Sequence, residues 1–368
     1  MSTPIRDFVV ALGDPSQHRW VTGPAVEEIP LGSEQILVEI EKFALTANNI
    51  TYAIAGHMLG YWKFFPTPEE SEGRIPSWGF GRVVRSEHDA VTVGTRIYGF
   101  LPMSSHLVMQ PGTITAQGFV DQIEHRRPLH GIYNTYTRLD ADLSYAAEYE
   151  DMHSIFRPLF TTAFLIDDVL HDEGYFGARR VVALSASSKT AASTAFCTHR
   201  RQGRSVELVG ATSAGNVAFV ESLGYYDRVL RYDQLTTLDT DTPTTIIDYA
   251  GNGELVATLH RHLGEQVVYN MLIGKSHKDG AQTPADLPGA PPAMFFAPDQ
   301  AHKRMEQWGP REFHARFMAS WSAFREAAGA WFQTRLGRGE QAVTRAYEDV
   351  LAGRLDPSEG HVLTLQSS

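Results

Sequence analysis

A single cysteine, Cys197, occurs in 368 residues. That excludes a disulfide framework and any zinc site built from several thiolates, and it fits a reducing compartment. Long apolar runs are also missing. No stretch of about 18 apolar residues occurs, so no helix is expected to span a membrane. The first residues, MSTPIRDFVVALGDPSQHRW, lack a basic region followed by a long apolar stretch, so no signal peptide is expected. Positive charge is scarce as well. Lys and Arg number 32 against 43 Asp and Glu, a formal charge of -11. Such a balance argues against non-specific binding to nucleic acid, which needs a basic surface. A cytoplasmic protein without nucleic-acid or membrane partners is the expectation.

What remains is globular: 43% hydrophobic and 20% charged residues, with length for two domains. The first 140 residues read as β-rich. Phe8 to Leu12 and Gln35 to Leu45 alternate apolar and polar positions. Gly79 to Ser86, Thr95 to Leu101 and Ser105 to Gly112 follow as short strands with turn residues between them, a pattern that suggests a small barrel. The rhythm changes near Tyr145. Tyr149 to His171 has helical spacing. Strands at Val181 to Ser187, Ser205 to Ala211, Arg228 to Tyr232, Thr245 to Tyr249 and Gln266 to Ile273 then alternate with helices. The order predicts an α/β domain with a parallel sheet. Lys275 to Met294 is rich in Pro, Gly and Ala and reads as a long mobile loop. Phe313, Phe317, Trp321, Phe324, Ala328 and Trp331 lie on one face of a helix, packed on a core or lining an apolar substrate cleft. A helix near Glu340 to Ala352 and a strand, His361 to Leu365, end the chain.

The stretch ALSASSKTAASTA, Ala183 to Ala195, links the first strand of the second half to an Ala-rich helix. Such a junction is where α/β proteins hold phosphate, yet it has no glycine. As a P-loop it fails at Ser188, where glycine is expected before Lys189-Thr190. In that reading TIIDYAG would supply the acidic strand near magnesium. As a dinucleotide loop it places Ser185, Ala186, Ser187, Ser188 and Ala191 where glycines normally stand. A plain structural loop with an exposed lysine is the third option. The next strand ends in Gly210-Ala211-Thr212-Ser213 without the acid that binds a ribose diol. An uncharged tip near Lys189 favours NADP(H) over NAD(H).

ILVEIEKFALTANNITYAIAG, VTVGTRIYGFLP, SHLVMQP, VESLGYYDRVLRYD and TIIDYAGNGELVATLHRHLG occur in the order and spacing of a known family. On these segments, which span most of the chain, the sequence resembles the zinc-free quinone- and enoyl-reductase-like side of the medium-chain dehydrogenase/reductase superfamily. Thr95 stands where that family often has Asp, and Ser187 to Ala191 replace its glycine-rich loop. The resemblance implies a Rossmann-type nucleotide domain beside a β-rich, GroES-like catalytic domain. It divides the chain into 1–145, catalytic; 146–300, dinucleotide-binding; and 301–368, a return to the catalytic domain. It further implies NADP(H) as cofactor, no metal, a partly apolar small-molecule substrate and a homodimer.

The same resemblance places Tyr52 or Tyr61 as proton or hydrogen-bond donor, with Asn48 and Asn49 as further donors. Ser187, Ser188, Lys189, Thr190, Thr212, Ser213, Asn216, Asn270 and Ile273 are the expected cofactor contacts. Trp62, Phe64, Phe65 and Trp78 would form an apolar wall, or an ordinary core. His260 and His262, two apart on a helix, are expected in solvent. Arg200, Arg201 and Arg204 read as a solvated helix end, Cys197 as a buried inert thiol, and Phe295-Phe296 as the start of a strand that closes the sheet or pairs subunits.

Overall fold

The structure is a computed structural model and describes residues 3–54, 56–57, 60–274 and 286–366. Two compact units form. One holds the described residues up to Ile155 and those from Gln333 onward, and the other spans Phe156–Phe332.

The first unit contains β1 (Pro4–Ala11), β2 (Asp14–Ala25), β3 (Ile36–Leu45), α1 (Ala47–Ile54), β4 (Glu72–Gly73), β5 (Pro76–Ser86), β6 (Arg96–Pro102), β7 (His106–Met109), β8 (Pro111–Thr115), β9 (Gly118–Asp121) and β10 (Thr135–Arg138). The β-rich reading holds, with β2, β4, β8, β9 and β10 added to it. A three-stranded sheet runs β2-β1-β4. The larger sheet is completed from the far end of the chain by β17 (Gln333–Arg338) and β18 (Glu359–Thr364), which flank α8 (Glu340–Leu351). β18 lies antiparallel to β3, with Val362 opposite Ala44. Alternation along β3 sends Ile36, Val38 and Ile40 into a core with Phe43, Phe100 and Tyr347. β3 can approach β5 because Gly79 lacks a Cβ, which would lie 2.3 Å from the carbonyl of Lys42.

The second unit opens within α2 (Glu150–Asp172). β11 (Arg180–Leu184), β12 (Glu207–Thr212), β13 (Arg228–Arg231), β14 (Thr244–Asp248), β15 (Val267–Leu272) and β16 (Pro292–Met294) form one sheet in the order β13-β12-β11-β14-β15-β16. Every pair in it is parallel. Numbered within the unit this is 3-2-1-4-5-6, with the reversal of direction between β11 and β14. All residues of β11 are buried, as expected of a central strand covered on both faces. α3 (Lys189–Arg200), α4 (Val217–Leu223) and α5 (Gly253–Leu263) follow β11, β12 and β14. β16 also corrects one reading: the end of the segment taken as a loop pairs with β15. Positions 275–285 of that segment lie outside the described residues.

α6 (Ala297–Trp308) and α7 (Pro310–Ala328) correct the expected return. Positions 301–332 belong to the second unit, and the chain rejoins the first only at Gln333. The reason is the aromatic face of α7. Phe317, Trp321, Phe324 and Ala328 are buried. Phe160 of α2 meets Phe317, Trp321 and Phe324 at ring distances of 5.9, 5.3 and 4.7 Å. The stripe therefore forms core.

Candidate active site

In the second unit the candidate cofactor end is where β11, β12, β14 and β15 terminate. Ser185, directly after β11, has φ +58, in the left-handed region that glycine usually fills. The turn closes by a hydrogen bond from the Ser188 amide to the Ser185 carbonyl, 2.8 Å. Ser188 then caps α3, its hydroxyl accepting from the Ala191 amide at 3.3 Å. Lys189 and Thr190 open the first turn, at the positive end of the helix dipole. The Lys189 ammonium sits 5.5 Å over the ring of Phe332.

Ser187 is the hub. Its oxygen accepts from the Thr212 hydroxyl at 3.2 Å and from the Asn216 amide at 3.0 Å. With both lone pairs used, its own proton is left to donate to an anion. Three expected contacts from two strand ends thus meet. Ser213 is exposed beside them at the end of β12. The sequence reading missed what supports the loop. Tyr226 donates to the Ala186 carbonyl at 3.2 Å, and its ring lies where a Cβ on Gly210 would come within 2.9 Å. The Tyr232 hydroxyl approaches the Ser185 hydroxyl at 3.5 Å. Neither tyrosine sits in a periodic pattern that could have flagged it.

Two other expected contacts are placed differently. Asn270 is buried in β15, and its amide donates to His260 Nε2 at 2.8 Å. His260 Nδ1 in turn meets the Pro288 carbonyl at 2.7 Å, which assigns the proton to Nδ1. His260 is therefore core, not solvent-facing, and burial lowers its pKa from the ordinary 6.5. Ile273 is held through its backbone, its amide bonding the Asp248 carbonyl at 2.9 Å. Asp248 Oδ1 accepts from the amides of Ala250 and Gly251 at 3.1 and 2.9 Å, which binds it into its own turn. That use, together with the strand order, removes the basis for the P-loop reading. Arg201 pairs with buried Asp167, and Arg204 with Asp227, so neither is merely a solvated helix end. Cys197 is buried, and burial raises its pKa. Glu207 starts β12 and pairs with Arg180 at 3.1 Å, far along the strand from Thr212.

In the first unit, α1 and the turn after it gather aromatic rings. Tyr52 and Tyr61 are nearly buried, with ring centroids 4.5 Å apart. The Tyr52 oxygen accepts from Asn48 Nδ2 at 2.7 Å and from Trp78 Nε1 at 3.3 Å. Among the described residues nothing accepts its own proton. Burial holds its pKa above the ordinary tyrosine value, so the phenol stays protonated. The Tyr61 and Tyr133 hydroxyls are 3.0 Å apart. Asn49 is placed differently from its expected role. Its Oδ1 accepts from the Thr46 amide at 2.8 Å and its Nδ2 donates to the Pro76 carbonyl at 2.8 Å. The T-x-x-N spacing of Thr46 and Asn49 was a helix-start signal, and it ties α1 to β5. Trp62, Phe64 and Phe65 are buried in the core cluster of this unit, with Trp78 packed against it.

Among the described residues no cluster of three or more His, Cys, Asp or Glu is placed to hold a metal ion, and no helix is long and apolar enough to cross a membrane.

A family model described as "Protein of unknown function (DUF2855)" matches residues 43–356. No curated protein matches. Solved structures match along the whole chain at low identity. A candidate NADPH:quinone reductase from Mesorhizobium loti aligns with a TM-score of 0.64 and 12% identity over 99% of each chain. CurA from Vibrio vulnificus, solved in complex with NADPH, aligns at 0.60 and 11%, over 99% of this chain and 100% of that one. A mutant enoyl thioester reductase from Candida tropicalis aligns at 0.56 and 11%, over 98% and 100%. These likenesses show the two-domain medium-chain dehydrogenase/reductase fold.

Proposed function

We propose that this chain, which belongs to the DUF2855 family and has the medium-chain dehydrogenase/reductase fold, is a zinc-independent, NADPH-dependent oxidoreductase that transfers hydride to an activated C=C or C=O. The observation that carries the reading is the end of β11. There a hydroxyl hub, a capped helix N-terminus and Lys189 converge beside the topological reversal of a 3-2-1-4-5-6 sheet. The nicotinamide supplies the hydride when bound. Ser187, Lys189 and Thr190 would bind its phosphates. Thr212, Ser213 and Asn216 leave the β12 tip without an acid, which favours the 2′-phosphate. In the first unit Tyr52 would give a proton or hydrogen bond to the substrate, and Asn48 and Trp78 would steady its oxygen as charge develops there. Enones, quinones and enoyl-like compounds suit the aromatic surroundings.

Binding without turnover is the second reading. It is favoured by the glycine-free loop, which Ser187, Thr212 and Asn216 hold together by hydrogen bonds of their own. A homodimer through β16 is a further part of the proposal. β16 is an edge strand, Met294 on it is 65% exposed, and nearby Phe296 is 43% exposed.

Thermal-shift titration with NADPH, NADH and ATP–magnesium tests the cofactor. NADPH is expected to stabilise most, and a shift with ATP alone would overturn the reading. NADPH consumption with enones and quinones then separates the reductase from the silent binder. Lys189→Ala should weaken NADPH more than NADH. Equal loss for both would assign the lysine to the pyrophosphate.

A further inference from the structure

Tyr133 has no role in the reading above, yet three features converge on it. First, its hydroxyl is 3.0 Å from that of Tyr61. One phenol donates to the other, and the acceptor's own proton is not used within the pair, so the pair keeps one O–H to donate. Second, the Tyr52 oxygen already accepts two N–H donors, and among the described residues nothing accepts its proton. Third, the segment bearing Tyr133 is anchored from inside the core. Arg126, 1% exposed, donates to the Tyr133 carbonyl at 2.6 Å, to Asn134 Oδ1 at 3.0 Å and to Asp121 at 2.9 Å. Asn134 returns a bond to the Arg126 carbonyl at 2.8 Å. A buried ion pair of this kind contributes little net stability, but it fixes geometry. Here it fixes the position of one ring. That ring is further set by Phe100 and Phe64, at 4.7 and 5.4 Å.

We propose that Tyr133 is a positioning residue for Tyr61, and that the pair supplies a second phenolic donor beside Tyr52 for the oxygen of a conjugated carbonyl substrate. The inference rests on the reductase reading. As hydride forms the new C–H bond at the β-carbon, the C=C electrons move toward the carbonyl and negative charge gathers on its oxygen. Two O–H donors already in place stabilise that charge without reorganisation. The α-carbon then takes its proton from the Tyr52 O–H or from water, which restores the carbonyl. The substrate class of this step is α,β-unsaturated carbonyls. Burial raises the pKa of Tyr61 and of Tyr133, so both remain donors at neutral pH.

The test is a double-mutant cycle on the full chain with NADPH and trans-cinnamaldehyde. Tyr133→Phe keeps the ring contacts and removes only the hydroxyl. It is expected to lower kcat roughly ten-fold, with KM changed by less than about two-fold. In a Tyr61→Phe background the same change should have no further effect, because Tyr133 acts through Tyr61. Independent, additive losses, or no loss at all, would overturn the inference and leave the reductase reading standing. A second readout needs no turnover. The carbonyl stretch of cinnamaldehyde bound to the wild-type protein should fall, and should fall less and equally in Tyr61→Phe and Tyr133→Phe. An unshifted stretch in the wild type overturns the inference. A shifted stretch without NADPH consumption overturns the reductase reading alone.

Discussion

At the scale of single residues, Ser185 holds the cofactor loop in a conformation that costs a non-glycine residue about 1–2 kcal/mol. Ser185→Gly should remove that cost, lose some through unfolded-chain entropy, and raise stability by a net of about 0.5–1 kcal/mol in urea unfolding. A loss instead would mean that the Tyr232 contact outweighs the backbone strain. Tyr52→Phe belongs to the same scale. It should lower kcat/KM on an enone about 100-fold while NADPH binding, proposed for the other unit, stays within about two-fold. Unchanged turnover would remove Tyr52 from the reaction. Residue roles were the least legible part of the sequence. Ser187, Thr212 and Asn216 could be named from strand ends, because strand ends follow from periodicity. Asn49 differed from Asn48 in its spacing from Thr46, but only the folded turn shows that its amide is consumed by backbone. Tyr133 and Arg126 sit in single 3-10 turns, too short for a period to mark them.

At the scale of elements, periodicity was informative where one face is buried. The apolar run of β11 and the buried face of α7 appear as read, whereas β3 alternates only at its middle, with Ile36 to Val38 and Phe43 to Leu45 all buried. Short pieces escaped. β16 has three residues, too few for a pattern, and it forms only because β15 offers an open edge. The α5–β15 contact was misread for a related reason. The two-residue spacing of His260 and His262 says that they diverge, but not which one turns inward. His260 carries the pH prediction of this scale. Its folded pKa lies below the ordinary value, so its contribution to stability is present above the unfolded pKa and is lost as pH falls through the folded one. His260→Gln can accept from Asn270 and donate to Pro288 without titrating. Between about pH 8 and about pH 5, unfolding midpoints should fall further for the wild type than for His260→Gln. Parallel curves would mean that His260 does not titrate with unfolding.

At the scale of the whole molecule, the two units are built differently in sequence. The first is discontinuous, because β18 must reach β3 from the end of the chain. The second is continuous and has its own cores, one around Val181, Ala191 and Met271 and one around Val182, Ile246 and Leu259. The aromatic contacts of α7 with α2 add a further apolar layer within the same unit. The first residues of α2 precede the boundary at Phe156, so a fragment should start at Glu150 to keep that helix whole. Residues 150–332 should therefore fold alone and unfold in one cooperative step. They also contain every group at the β11 end: Ser187, Lys189, Thr212 and Asn216. NADPH at about 100 times its Kd should stabilise the fragment by about 2.7 kcal/mol, or about 5–10 °C in Tm. A fragment that folds but shows no shift would place essential phosphate contacts in the first unit. A fragment that stays unfolded would show that the cores of the second unit are insufficient by themselves, whatever the loop binds.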